Sequence, residues 1–168
     1  MVLSREELTE IMNIANIYRP SWSWNFKTTD ELKESEIYEA LSTYAKGCNK
    51  DKIIGICSIR SEEGILLAED ALYSHYFVCG KIDKTLNYLP IYGISKITWI
   101  NYNHLNVFYE NRSVREKIYV NIFKDMINTL LTEIMKKETK NRTKTQVMPE
   151  WQSPEHVDYV LEPPYVLI

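Results

Sequence analysis

The 168 residues, 45% hydrophobic and 26% charged, have the length of one domain and enough apolar material to bury a core unaided, which excludes a disordered chain. A net charge of −3 names no partner by itself, but it argues against a general nucleic-acid binder, which carries a basic surplus. No run approaches the roughly 18 apolar residues of a membrane span, and the start, Met1 to Arg5, lacks a secretory pattern, so a cytoplasmic location is expected.

In chain order, Ser4 with Glu7 three residues later makes a capping box that predicts a first helix. Leu8, Ile11, Ile14 or Ala15, and Tyr18 follow at helical spacing until Pro20 ends the run. In the linker 21–26, Trp22, Trp24 and Phe26 alternate with small polar residues, so an extended segment puts all three on one side. They either close over the core or form a surface for a partner; the first is favoured because large aromatics are rarely left in water.

Thr28 and Glu31 form a second capping box, ahead of an apolar stripe of Leu32, Ile37, Ala40, Leu41 and Tyr44, with Gly47 suited to a left-handed position past the helix end. The outer face carries Glu31, Glu34, Glu36 and Glu39. A solvated face is the ordinary meaning of such glutamates; a docking surface for a basic partner is the sharper one.

From Asp51 to Ile100 short apolar, β-branched and aromatic runs alternate with polar breaks, the pattern of an antiparallel meander. Turns are expected at Glu62-Glu63-Gly64 and at Glu69-Asp70, and a longer loop over Gly80–Thr85 that includes Lys81 and Asp83. Leu72–Val78 is apolar on both alternating faces, which predicts a strand covered on both sides. A last strand is read at Leu105–Tyr109 after a polar turn, Tyr102-Asn103-His104.

Ser113 and Glu116 supply a third capping box, and Val114, Ile118, Ile122, Met126, Ile127, Leu130, Leu131 and Ile134 keep a helical period, predicting a long helix over 113–137. The basic run Lys136–Lys144 is placed at and beyond its end, where cations suit the helix dipole. The stretch 138–168 holds four of the six prolines and is expected to run extended, strapped to the body through Trp151, Tyr159 and the final Val166-Leu167-Ile168. One α+β domain, 1–168, results: two N-terminal helices over 1–47, a bent antiparallel meander of five to seven strands over 48–110, a long packing helix and an extended tail.

Reacting groups are sparse. Cys48, Cys57 and Cys79 form no CxxC pair and read as buried free thiols. His75, His104 and His156 show no metal-ligand spacing, and Glu69, Asp70 and His75 lie close enough for only a weak acid/base candidate. No phosphate-binding glycine loop or nucleophile elbow occurs, so no catalytic residue, metal or cofactor is assigned and a non-enzymatic binding protein is expected. The candidate contact residues are Trp22, Trp24, Glu34, Glu36, Glu39, Glu62, Glu63, Lys81, Asp83 and Trp151.

The succession Lys52–Cys57, Glu63–Tyr73, Leu86–Leu89 with Tyr92–Ile97, and the helix from Val114 resembles bacterial pleckstrin-homology-like domains over about Leu32 to Lys137. That resemblance implies a bent antiparallel sheet closed by a C-terminal helix and a regulatory module binding lipid or a protein. The Trp22/Trp24 segment and the proline-rich tail depart from the pattern. In overall character, acidic, small, rich in Ile, Asn, Lys and Tyr and without reactive motifs, the chain also resembles immunity proteins of bacterial toxin–immunity pairs. That second resemblance implies a protein partner, a secreted toxin domain such as a basic nuclease, masked by the glutamates of the second helix together with exposed tyrosines.

Overall fold

The computed structural model describes residues 2–18, 25–60, 63–74, 88–101, 104–110, 116–119 and 124–146. Helix α1 spans Arg5–Ala15 and continues as a 3-10 turn, Asn16–Tyr18. Its capping box is formed in both directions: the Glu7 N–H donates to Ser4 Oγ at 3.1 Å, and the Ser4 N–H donates to Glu7 Oε1 at 2.9 Å. The buried stripe is Leu8, Ile11, Met12 and Ala15; Ile14 and Tyr18, expected inside, are exposed, because Met12 completes the i, i+4 row from Leu8. Asn16 then holds Phe26 through both of its backbone polar groups, at 2.8 and 3.3 Å, and Phe26 joins the core as expected. Trp22 and Trp24 lie outside the described residues.

The chain continues through β1 (Lys27–Thr28), α2 (Glu34–Ser42), β2 (Ile53–Arg60), β3 (Glu63–Ala68), β4 (Ala71–Tyr73), β5 (Tyr88–Pro90), β6 (Ile94–Asn101), β7 (His104–Tyr109), β8 (Glu116–Tyr119) and α3 (Lys124–Gln146). The class is α+β, with antiparallel pairing throughout. The strands form two sheets, β1-β2-β3-β4-β5 and β6-β7-β8, with the break after the turn Ile91–Gly93. Gly93 has φ +75°, a conformation that costs glycine little.

Several local expectations are corrected. The Thr28–Glu31 contact exists, the Thr28 N–H donating to Glu31 Oε1 at 2.9 Å, but it closes a turn and not a helix. Helix α2 starts later, with the Lys33 N–H capped by Glu36 Oε1 at 3.1 Å. Gly47 does take the left-handed conformation expected of it, with φ +90°, at the end of the turn that follows α2. Glu63 and Gly64 are strand residues, opposite Arg60 and Ser58, so they do not belong to the turn expected there; Glu62 lies outside the described residues. Glu69-Asp70 does connect β3 to β4, with Leu67 opposite Leu72.

The largest correction concerns residues 116–119. The third capping box does not open a helix, since Glu116–Tyr119 is a strand with Ile118 opposite Leu105 and Glu116 opposite Val107. Four residues ending in Ile-Tyr suit either period, and pairing with β7 decides. Helix α3 also runs past Lys137 to Gln146, so the basic run belongs to the helix; no glycine or proline interrupts it before Pro149. The expected extended run is thus helical over 138–146, and its remainder, 147–168, lies outside the described residues, as does the loop at Gly80–Thr85.

Two buried clusters sit on opposite faces of the larger sheet. Along β3 the alternation is clean: Ile65 and Leu67 face the main core, Leu66 and Ala68 the second. The main core unites α1, α3 and inward residues of both sheets, including Leu8, Met12, Leu72, Ile97, Val107, Leu130 and Leu131. The second packs α2 through Ile37 and Ala40, with Tyr44, against Ile53, Ile56 and Leu66. In β4, Leu72 faces one core and Tyr73 the other, so this part of the expected strand is covered on both sides.

Arg5 fastens the start of α1 to the sheet, donating to the Ile53 carbonyl at 2.7 Å, to the Asp51 carbonyl at 3.3 Å and to Glu69 Oε2 at 2.9 Å. Because the guanidinium is half exposed, Arg5→Met is expected to cost only about 1 kcal/mol, read as a lower urea midpoint with unchanged m-value.

Candidate interaction surface

Helix α2 separates its residues by period. Ile37 and Ala40 are buried and Leu41 is half-buried against the second core, while Glu34, Ser35, Tyr38, Glu39 and Ser42 are exposed. Tyr38, 72% exposed, falls one turn after Glu34 and directly before Glu39. Ser42 donates to the Tyr38 carbonyl at 2.8 Å, securing the last turn beneath it. The only charge of opposite sign that pairs with Glu34 among the described residues is Lys50, at 3.9 Å, with both side chains largely in water. A pair this loose and solvated holds the glutamate weakly and leaves it available.

Of the residues singled out from sequence, Glu34 and Glu39 therefore stand on one exposed face. Glu36 belongs to the helix cap and is half-buried. Glu63 is half-buried at the start of β3, in the neighbouring sheet. Trp22, Trp24, Glu62, Lys81, Asp83 and Trp151 lie outside the described residues. Tyr38 was not named from sequence, although its position is legible there: it is the one large aromatic of α2 out of phase with Leu32, Ile37, Ala40, Leu41 and Tyr44.

A second surface lies where α1 meets α3. A shallow groove of about 210 Å³ is floored by Ile11 and Ile14 and edged by Glu10, Glu133, Lys136 and Lys140. Its rim is largely satisfied internally, with Lys136 3.6 Å from Glu133 and Lys137 3.9 Å from Glu7. Lys137 thus belongs to the helix–helix seam, while Arg142, further along α3, pairs with Glu110 at the end of β7 at 3.2 Å.

Of the three cysteines expected to be buried, Cys57 is buried, Cys48 is half-buried and Cys79 lies outside the described residues; the two described thiols are poorly set for nucleophilic work. Burial pushes Cys57 up to about 12 and, together with the Asp70 charge, Cys48 up to about 11, so the reactive thiolate is scarce at neutral pH. Glu69 and Asp70 are engaged with Arg5 and Lys52, at 2.9 and 3.6 Å. His75 lies outside the described residues. Among the described residues no group of three or more His, Cys, Asp or Glu is placed to hold a metal ion, and no helix is long and apolar enough to cross a membrane.

Compared with known proteins, the chain matches no protein-family model, no curated protein and no solved structure. Its surface chemistry is therefore the ground for a functional reading.

Proposed function

We propose that this chain is a non-enzymatic protein-binding inhibitor, of the kind represented by bacterial immunity proteins, and that it engages a toxin domain through the outer face of α2. The observation that carries the reading is Tyr38, left 72% exposed between Glu34 and Glu39 on a helix whose other face is buried. A tyrosine offers large contact area with a hydrogen-bonding tip at low entropic cost, and carboxylates around it steer a basic partner and fix its register. A basic nuclease domain has the complementary chemistry, and a cytoplasmic location goes with that role.

The test combines genetics with affinity. A large secreted toxin encoded immediately upstream is expected, and its purified toxic domain should bind the chain with nanomolar strength. Glu34→Ala, Tyr38→Ala and Glu39→Ala together should weaken binding by about 30-fold or more, the equivalent of losing one interface hot spot. Glu36 is left intact because its carboxylate caps the helix. Unchanged affinity in the triple variant, with an unaltered circular dichroism spectrum, would remove α2 as the docking face.

A second reading, a pleckstrin-homology-like regulatory module, is favoured by the succession of two antiparallel sheets followed by a long C-terminal helix. Binding to anionic vesicles with no protein partner would select it and sink the inhibitor reading.

A further inference from the structure

The junction between α3, the turn Ile91–Gly93 and the residues leading into α1 contains an acid that the proposed function does not use. Glu138 is only 5% exposed although it sits among α3 residues otherwise devoted to the core and the seam with α1. Its Oε2 accepts one long hydrogen bond from the Gly93 N–H, at 3.5 Å. Next to it, the Tyr92 hydroxyl accepts from the Leu3 N–H at 3.1 Å, so the same turn anchors the approach to α1. The Glu110 N–H donates to the Gly93 carbonyl at 2.8 Å, which brings a second carboxylate into the cluster at the end of β7. Glu110 is itself paired with Arg142, one helical turn along from Glu138.

We infer that Glu138 is a proton-controlled latch, holding α3 against the Tyr92–Gly93 turn more firmly when neutral than when charged. Burying a carboxylate costs free energy that one long N–H···O contact does not offset, whereas the neutral acid carries no such charge penalty. The groups around it divide in sign. The Gly93 amide and Arg142 favour the carboxylate; Glu110 opposes it. Tyr92, on the turn, is itself held in its neutral form by burial, with Glu138 and Glu7 adding to the effect. Burial outweighs the favourable partners and raises the Glu138 titration above the ordinary carboxylate range.

The direction of the pH effect follows. A carboxyl whose folded-state pKa is raised leaves the folded protein holding more protons than the unfolded chain between the two values. Stability is then gained as pH falls through the folded-state titration toward the ordinary glutamate value of about 4.3, and lost again as pH rises. Glu7 and Glu31 act in a different window, since the Ser4 and Thr28 amides hold their carboxyls low and their contribution is lost only in stronger acid.

The experiment is a site-resolved carbon-13 titration of the Glu138 carboxyl in the full chain, with urea midpoints measured across the same pH range. The expected results are a titration above that of exposed glutamates and a urea midpoint that rises as pH falls through it. Glu138→Gln should abolish that rise, Glu110→Gln should move the Glu138 titration down, and Arg142→Met should move it up. A Glu138 titration at or below the ordinary value would overturn the inference, as would a rise in midpoint that survives in Glu138→Gln. If Glu138→Gln does not fold, the wild-type titration and its response to Glu110→Gln decide alone.

Discussion

Gly64→Ala is expected to destabilise the fold by about 1–3 kcal/mol, the range for forcing an extra carbon into packed space. A Cβ at this position would stand 2.6 Å from the Cys57 carbonyl oxygen and 2.7 Å from the Tyr44 hydroxyl. The first contact is with the backbone of the paired strand, which moves only by opening the β2–β3 ladder. The second is with a buried ring whose hydroxyl lies 3.4 Å from Ser58 Oγ and whose pKa burial pushes up to about 12. Neither neighbour yields cheaply. Gly64 has no need of an unusual backbone conformation here; it is small so that Tyr44 can lie across β3. A urea midpoint lowered with an unchanged m-value would verify the effect, and a wild-type midpoint would show that Tyr44 moves freely.

The second large effect is expected for Leu66→Ala, about 2–5 kcal/mol, the usual cost of emptying a fully buried leucine site. Leu66 is wholly buried in the cluster that seats α2, among Ile37, Ala40, Tyr44, Ile53 and Ile56. Hydrogen exchange should report faster opening of α2 amides than of α1 or α3 amides in this variant, because the main core across the sheet is untouched. Uniform acceleration in all three helices would mean that the two cores yield together.

These two sites also show what was legible beforehand. The two-sided cover expected for Leu72–Val78 is found where that stretch is described, at Leu72 and Tyr73; the unbroken apolar run Ile65–Ala68 is covered on both faces too, although in sequence it reads only as one run of the meander. The Ser4–Glu7 cap was equally legible, because both partners lie within one turn and need no distant neighbour. The same signature misled at Thr28–Glu31, where the hydrogen bonds form but close an isolated turn. It misled again at Ser113–Glu116, where β7 offered Glu116–Tyr119 a ladder that the local pattern could not display. Capping residues describe a local conformation; whether a helix propagates from it depends on what packs beside it. Of the proposed interaction face, the acidic residues were readable from charge alone. The separation of Glu36 as a cap from Glu34 and Glu39 as free surface required the true start of α2, three residues beyond Glu31.

The seam between α1 and α3 has a consequence for how the chain is made. Asn141 Nδ2 reaches Glu7 Oε2 at 3.5 Å across 134 positions of sequence, and Lys137 approaches the same carboxylate. During synthesis the first helix therefore emerges long before the element that covers it. Its row of Leu8, Ile11, Met12 and Ala15 must wait for both the sheets and α3. The sheets can zip through successive neighbours, each connection local, but joining the two ends of the fold is a single long-range closure. A nascent chain stalled before Lys124 lacks α3 and leaves that apolar row uncovered on this side, the kind of exposed surface through which incomplete chains associate.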